Sequence, residues 1–199
     1  MKIYLLRHGE TAYNAQGRYL GRTDPPLSER GRRKLGRAEF APETVYISPL
    51  RRTAETADIL FPHARQIVVP DFREMDFGVF EGKSYLDMEH FQPYRDWVDG
   101  GCQGQIPEGE SMAAFSERTC AAFEALMNQT LAAGEERLAI VAHGGTQMAA
   151  LERFALPRRD YFSWCGPLGG GFVLDGAHWR EERTLTLLDT VRYTGGEEG

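Results

Sequence analysis

Lysine is scarce in this chain. Of 23 basic side chains only Lys2, Lys34 and Lys83 are lysines, so nearly every cation is an arginine, the better bidentate partner for phosphate or carboxylate. Cysteine is scarce as well. Cys102, Cys120 and Cys165 are widely spaced and odd in number, and no CxxC or Cys/His spacing suggests zinc or a redox pair. They are expected to be reduced, partly buried thiols of a cytoplasmic protein. No apolar run approaches the roughly 20 residues of a membrane span. The opening run Ile3–Leu6 is short and meets charge at once, unlike a signal peptide, so no membrane partner is expected. Net positive charge is missing too: the formal charge is −6, which argues against nucleic acid or an acidic lipid surface as partner. Neither a lysine-bearing P-loop nor a DxD-type metal motif occurs, and no metal or cofactor is expected.

The chain has 199 residues, 42% hydrophobic and 26% charged. That suits one domain, residues 1–199, with a sizeable core. Strand and helix signals alternate along it. The run 3–6 reads as a buried strand closed by Gly9, and a Ser28 cap opens a helix expected to reach Phe40. A strand at 44–47 precedes a helix at 50–60, with Pro49 at its first position and Ser48 as cap. A third strand, 66–69, ends at Pro70. A long amphipathic helix is expected from Glu110 or Ser111 to Ala133, then a buried strand at 137–142 and a helix from Gly144 to Phe154. Late runs at 171–175 and 184–188 read as outer strands of a hairpin around Gly176. This order predicts an α/β fold, a three-layer α/β/α sandwich on a mostly parallel sheet with an antiparallel edge. Residues 84–109 read as a covering insertion with two aromatic-rich helical pieces, and Thr194–Gly199 as a frayed tail.

Ligands of α/β sheets gather at the carboxyl ends of the strands. Four polar groups fall there: Arg7-His8-Gly9, Arg51-Arg52, Arg73-Glu74 and His143-Gly144-Gly145. Two of them lead into helices, whose N-terminal N–H groups favour an anion. The combination suits phosphoryl transfer through histidine. A neutral imidazole is a competent nucleophile, so His8 or His143 could carry the phosphoryl group. Arginines would stabilise the charge on its oxygens, and Glu74 is a candidate acid for the leaving oxygen. The arginines would then do what Mg²⁺ does elsewhere.

With those residues in place the chain resembles the histidine phosphatase superfamily, also called phosphoglycerate mutase-like. The matching motifs run in order along nearly the whole chain. They are Leu6-Arg7-His8-Gly9-Glu10-Thr11 with Asn14, Gly21 through Gly31, Ser48 through Ala57, Glu74 through Gly82, Pro107 through Ser111, and Val141 through Gly145. The resemblance implies a phosphoglycerate mutase-like sandwich. It implies His8 as the nucleophile that becomes phosphohistidine, and Arg7, Arg52 and Asn14 as contacts to the phosphoryl group, with Gly21 also lining the substrate site. His143 would stabilise the transferring group, and Glu74 would donate the proton. Between the neighbouring arginines, Arg52 fits the family position before Thr53, which leaves Arg51 as a solvated helix residue. The short chain and the stretch 74–82 resemble the phosphatase branch, and Asp87-Met88 with Tyr94-Arg95-Asp96-Trp97 is similar to the α-ribazole phosphatase type. The expected activity is therefore metal-independent hydrolysis of a small phosphorylated metabolite. The alternatives are mutase-type phosphoryl transfer and a non-catalytic phosphate-binding protein.

The remaining candidates have ordinary readings. His63, His90 and His178 suit surface positions, although His90 lies where the insertion could touch substrate. Glu81 could cap a helix or serve the site. Phe91, Tyr94 and Trp97 share a helical spacing that suits a core. The cluster Arg30, Arg32, Arg33, Lys34 and Arg37 reads as a solvated helix face.

Overall fold

The computed structural model describes residues 1–195. Seven strands form one sheet: β1 (Lys2–Arg7), β2 (Thr44–Ile47), β3 (Arg65–Val68), β4 (Arg137–Ala142), β5 (Ala155–Leu156), β6 (Gly170–Asp175) and β7 (Leu185–Arg192). Their spatial order is β3-β2-β4-β1-β6-β7-β5. β3, β2, β4 and β1 run parallel, while β6 is antiparallel to both β1 and β7. The helices are α1 (Ala12–Ala15), α2 (Glu29–Lys34), α3 (Arg51–Leu60), α4 (Gln92–Asp99), α5 (Met112–Ala132), α6 (Gly144–Phe154) and α7 (Trp179–Glu182).

Side-chain alternation along the central strands builds the three layers. Ile3 and Leu5 of β1 with Leu138, Ile140 and Ala142 of β4 face one core, completed by Phe115, Phe123 and Met127 of α5 and Leu151 of α6. Leu6, Val45, Ile47, Ala139 and Val141 face the opposite core with Ala57 and Leu60 of α3. The central strands are apolar on both faces because helices cover both. Ser111 caps α5 by accepting the Ala114 N–H (3.2 Å).

Several local expectations differ from the structure. α2 stops at Lys34 rather than Phe40. Leu35 turns extended and is buried in the second core, and Gly36 N–H donates to Tyr193 O (3.1 Å), so pairing with the distant chain end overrides local propensity. The same contact orders the start of the expected frayed tail: Thr194 bridges Leu35, and Gly195 N–H donates to Lys34 O (3.0 Å). Residues 196–199 of that tail lie outside the described residues. α3 begins at Arg51, just past Pro49, and its cap position is Leu50 rather than Ser48. The orphan Arg51 N–H is satisfied from afar by Asp24 Oδ1 (2.7 Å). β6 is an interior strand rather than an outer one, and Phe172, Val173 and Leu174 are buried on its two faces. Its link to β7 contains α7, closed by Arg183 in a left-handed conformation (φ 55°), and not a tight hairpin at Gly176. In the 84–109 segment α4 places Trp97 against Tyr19, Phe80 and Tyr94, an aromatic cluster that pins the helix to the loops around it.

Candidate active site

Strand register assembles the site. Arg7 of β1 pairs with Ala142 of β4, so the next residues, His8 and His143, leave the sheet side by side. Their rings sit 5.3 Å apart between centroids, at an interplanar angle of 63°. Ile47 pairs with Val141, which brings Ser48 alongside, and Ser48 Oγ lies 2.7 Å from His143 Nε2. Two histidines separated by 135 positions thus become neighbours through backbone hydrogen bonding alone.

Each ring is held at one nitrogen. His8 Nδ1 lies 2.7 Å from Gly9 O. A carbonyl only accepts, so Nδ1 carries the proton and the neutral ring leaves Nε2 with a free lone pair. Burial, reinforced by Arg52 and then Arg7, holds the His8 pKa well below 6.5. His143 is fully buried, and burial with the charges of Arg52, His8 and Arg7 lowers its pKa in the same direction. Both rings are neutral at physiological pH.

The arginines converge from different elements. Arg52, in the first turn of α3, is completely buried. Its Nη1 donates to Thr23 O (2.9 Å) and its Nη2 to Gly21 O (2.8 Å). Burial lowers its pKa to about 10 against the opposing pull of Glu74, Asp24 and Glu81, so it stays cationic at neutral pH. Arg7 donates from Nη1 to Gly166 O (3.1 Å) and to Cys165 Sγ (3.3 Å). Arg51 is a solvated residue paired with Glu55 (2.6 Å), as its place in sequence predicts.

Glu74 enters from the loop after β3. Its Oε1 accepts Met75 N–H (2.9 Å), and its Oε2 accepts Gly145 N–H at the start of α6 (3.1 Å). Burial raises its pKa, and those two N–H groups with Arg52 and Arg7 pull it back. Gly145 must be glycine, because a Cβ there would collide with Glu74 Oε1 and with the Phe115 ring. Asn14 closes the capping box of α1 with the cap residue Thr11: its Oδ1 accepts Thr11 N–H (3.0 Å) and the Thr11 hydroxyl (2.9 Å). The Nδ2 group is therefore what Asn14 can offer a ligand. Gly21 has both backbone groups engaged, its N–H by Glu81 Oε2 (3.2 Å) and its O by Arg52. Its carbonyl thereby holds the Arg52 guanidinium.

Two residues emerge that the motif reading passed over or left open. Ser48, read as a helix cap, instead contacts His143 and accepts Leu50 N–H (3.2 Å). Glu81 closes the short 3-10 helix Gly78–Phe80 at its C-cap, and its side chain reaches further. Its two oxygens accept Gly21 N–H, Arg22 N–H (3.0 Å), Thr23 Oγ–H (2.8 Å) and Phe77 N–H (3.2 Å), which ties the loop that supplies both carbonyls to Arg52. The glutamate-glycine pair in sequence carried no signal for that bracket. His63, His90 and His178 are exposed and away from these contacts.

The family model that matches residues 3–168 is the histidine phosphatase superfamily (branch 1). The chain belongs to this superfamily. It is 38% identical over 154 residues to a Klebsiella pneumoniae protein named "Probable phosphoglycerate mutase GpmB", covering 72% of this chain and 70% of that one. Among solved structures, a phosphoglycerate mutase from Thermus thermophilus shares 30% identity and a TM-score of 0.68, with 96% of this chain and 98% of that chain covered. The α-ribazole phosphatase from Shigella flexneri shares the fold, with a TM-score of 0.80 over the full length of both chains at 24% identity. The proteins it is similar to carry both mutase and phosphatase names. Among the described residues no helix is long and apolar enough to cross a membrane.

Proposed function

We propose that this histidine phosphatase superfamily member is a metal-independent phosphomonoesterase working through a phosphohistidine at His8. One observation carries the reading. Arg7 Nε, Arg52 Nε and His143 Nδ1 are buried without a partner among the described residues, around the one ring nitrogen, His8 Nε2, that is free to attack. Buried donors left unmade cost about 1–3 kcal/mol each, and an anionic phosphoryl group is the ligand that satisfies all three at once. Ser48 Oγ accepts from Leu50 and lies 3.1 Å from Thr53 Oγ1 and 2.7 Å from His143 Nε2. In the tautomer where Ser48 donates to Nε2, the His143 proton sits on Nδ1 and is a further donor to the phosphoryl group.

In the first step His8 Nε2 forms a bond to phosphorus as the ester P–O bond breaks, and the Glu74 carboxyl gives its proton to the leaving oxygen. Arg7, Arg52 and His143 bear on the equatorial oxygens. A water oxygen then attacks phosphorus, the Glu74 carboxylate takes its proton, and the N–P electron pair returns to Nε2. Asn14 adds a contact to the phosphoryl group from α1.

The mutase reading shares the first half and returns the phosphoryl group to the substrate. It is favoured by the name of the 38%-identical relative. Turnover of p-nitrophenyl phosphate in EDTA separates the readings. Steady phosphate release, undiminished by chelator and with no phosphoryl transfer to added phosphoglycerate, is the expected result. A single equivalent of nitrophenolate without acceptor, no free phosphate, and phosphoryl transfer with renewed nitrophenolate release once phosphoglycerate is added would establish the mutase.

A further inference from the structure

Beside Glu74 the structure holds a second, differently built space. A cavity of about 200 Å³ opens from the Glu74 carboxyl and Gly145, and its walls include Phe77, Trp97, Phe115, Met148, Tyr161 and Phe162. Among the described residues that line it, Glu74 is the only charged side chain, and no lysine, arginine or histidine is present. Arg118, the nearest cation in sequence to the Phe115 wall, is committed elsewhere: it pairs with Glu110 (2.7 Å) and donates to the carbonyls of Asp71, Arg73 and Glu74. Its guanidinium stacks on the Phe115 ring at 4.9 Å. The Tyr19 hydroxyl, at another wall, is taken by Tyr94 (3.0 Å).

We infer that this cavity receives the leaving alcohol, and that the substrates are phosphomonoesters of compact, uncharged, apolar or aromatic alcohols rather than of carboxylate-bearing ones. This rests on the phosphomonoesterase reading, because it takes Glu74 as the proton donor. The ester oxygen must reach Glu74, so whatever is attached to that oxygen occupies the space Glu74 opens onto. An apolar cavity of about 150 Å³ holds one benzene ring, so this one fits a single substituted ring or a branched aliphatic group. Aromatic walls add edge and face contacts beyond simple burial. A carboxylate on the alcohol would be desolvated with no cation to meet it, an expensive arrangement. The cations of this site are instead gathered on the phosphoryl side, where Arg7 and Arg52 stand.

The test compares three esters whose leaving alcohols are all primary, so that chemistry is matched and only the attached group differs: benzyl phosphate, glycerol 1-phosphate and 3-phosphoglycerate. We expect kcat/KM for benzyl phosphate to exceed that for glycerol 1-phosphate by about 10-fold and that for 3-phosphoglycerate by at least about 100-fold, following the burial of one ring and the exclusion of one charge. Phe162 lies on the rim, 56% exposed, and Phe162→Arg should narrow the benzyl-to-phosphoglycerate ratio at least about 10-fold. Equal or reversed preference in the unaltered protein overturns the inference while leaving hydrolysis through His8 intact. Failure of all three esters, and of p-nitrophenyl phosphate, to phosphorylate His8 would overturn the reading it rests on.

Discussion

Glu81 offers a perturbation whose size can be worked out from its contacts. It touches no reacting group, yet its carboxylate accepts hydrogen bonds from Gly21, Arg22, Thr23 and Phe77. The carbonyls of Gly21 and Thr23 in turn hold both Arg52 terminal nitrogens. Glu81→Gln keeps the shape and turns one acceptor oxygen into an NH₂ facing two donors. Hydrogen bonds to a charged acceptor are worth about 1.5–3 kcal/mol, and half-burial of Glu81 limits the whole loss to about 2 kcal/mol. Passed on to Arg52, that is roughly 30-fold in kcat/KM at about 1.4 kcal/mol per decade. Inorganic phosphate, as a competitive inhibitor, should weaken by a similar factor, since it meets the same arginine. The melting temperature should fall by about 4–8 °C for a chain of this size. Steady-state kinetics with p-nitrophenyl phosphate, a phosphate inhibition series and a thermal melt read the three quantities. A variant that melts earlier but keeps its kcat/KM and phosphate affinity within about twofold would show that Glu81 supports the loop alone, and that Arg52 does not depend on the loop for its aim.

Three further outcomes follow from the protonation states. Glu74→Gln should slow phosphorylation of His8 by an alkyl phosphate on the order of 10²–10⁴-fold, the range for general acid catalysis, while p-nitrophenyl phosphate, whose leaving group needs no proton, loses far less in the burst phase; equal losses would reduce Glu74 to a positioning residue. Because burial and the arginines hold the His8 pKa below 6.5, the nucleophile stays neutral as pH falls through that value. The acid limb of kcat/KM, corrected for the ester's own ionisation near about 6, should lie below 6.5, and a limb at or above it would contradict the buried neutral ring. The same depression has a sign for stability. The unfolded histidines take up protons at 6.5 and the folded ones only lower, so stability is complete above 6.5 and declines as pH drops beneath it. A melting temperature that stays flat from about pH 7 to about pH 5 would refute it.

The strands β1 and β4 and the helices α5 and α6 were legible because apolar periodicity and a helix cap or flanking glycine agreed at each. The pair His8 and His143 was legible for the same reason: each follows a buried strand and precedes glycine. What sequence could not carry was anything set by distant pairing. Leu35 ends α2 because the chain returns at Tyr193 and Thr194, and no local signal marks that. The interior place of β6 depends on strand order, which periodicity does not encode. Ser48 looks like a cap because Ser-Pro before a helix usually is one; its contact with His143 arises only when β2 lies beside β4. Glu81 was ambiguous because its donors are mostly backbone N–H groups, which leave no residue pattern to read.

The central claim is that a phosphoryl group is carried on His8, at the ring nitrogen left free by Gly9. Rapid quenching with a radiolabelled phosphomonoester, followed by peptide mapping under alkaline conditions, tests it directly. The account predicts acid-labile, base-stable label on the peptide containing His8, bonded through Nε2, and no label after His8→Ala. Label on His143, or turnover of the ester with no phosphoenzyme at all, would contradict it.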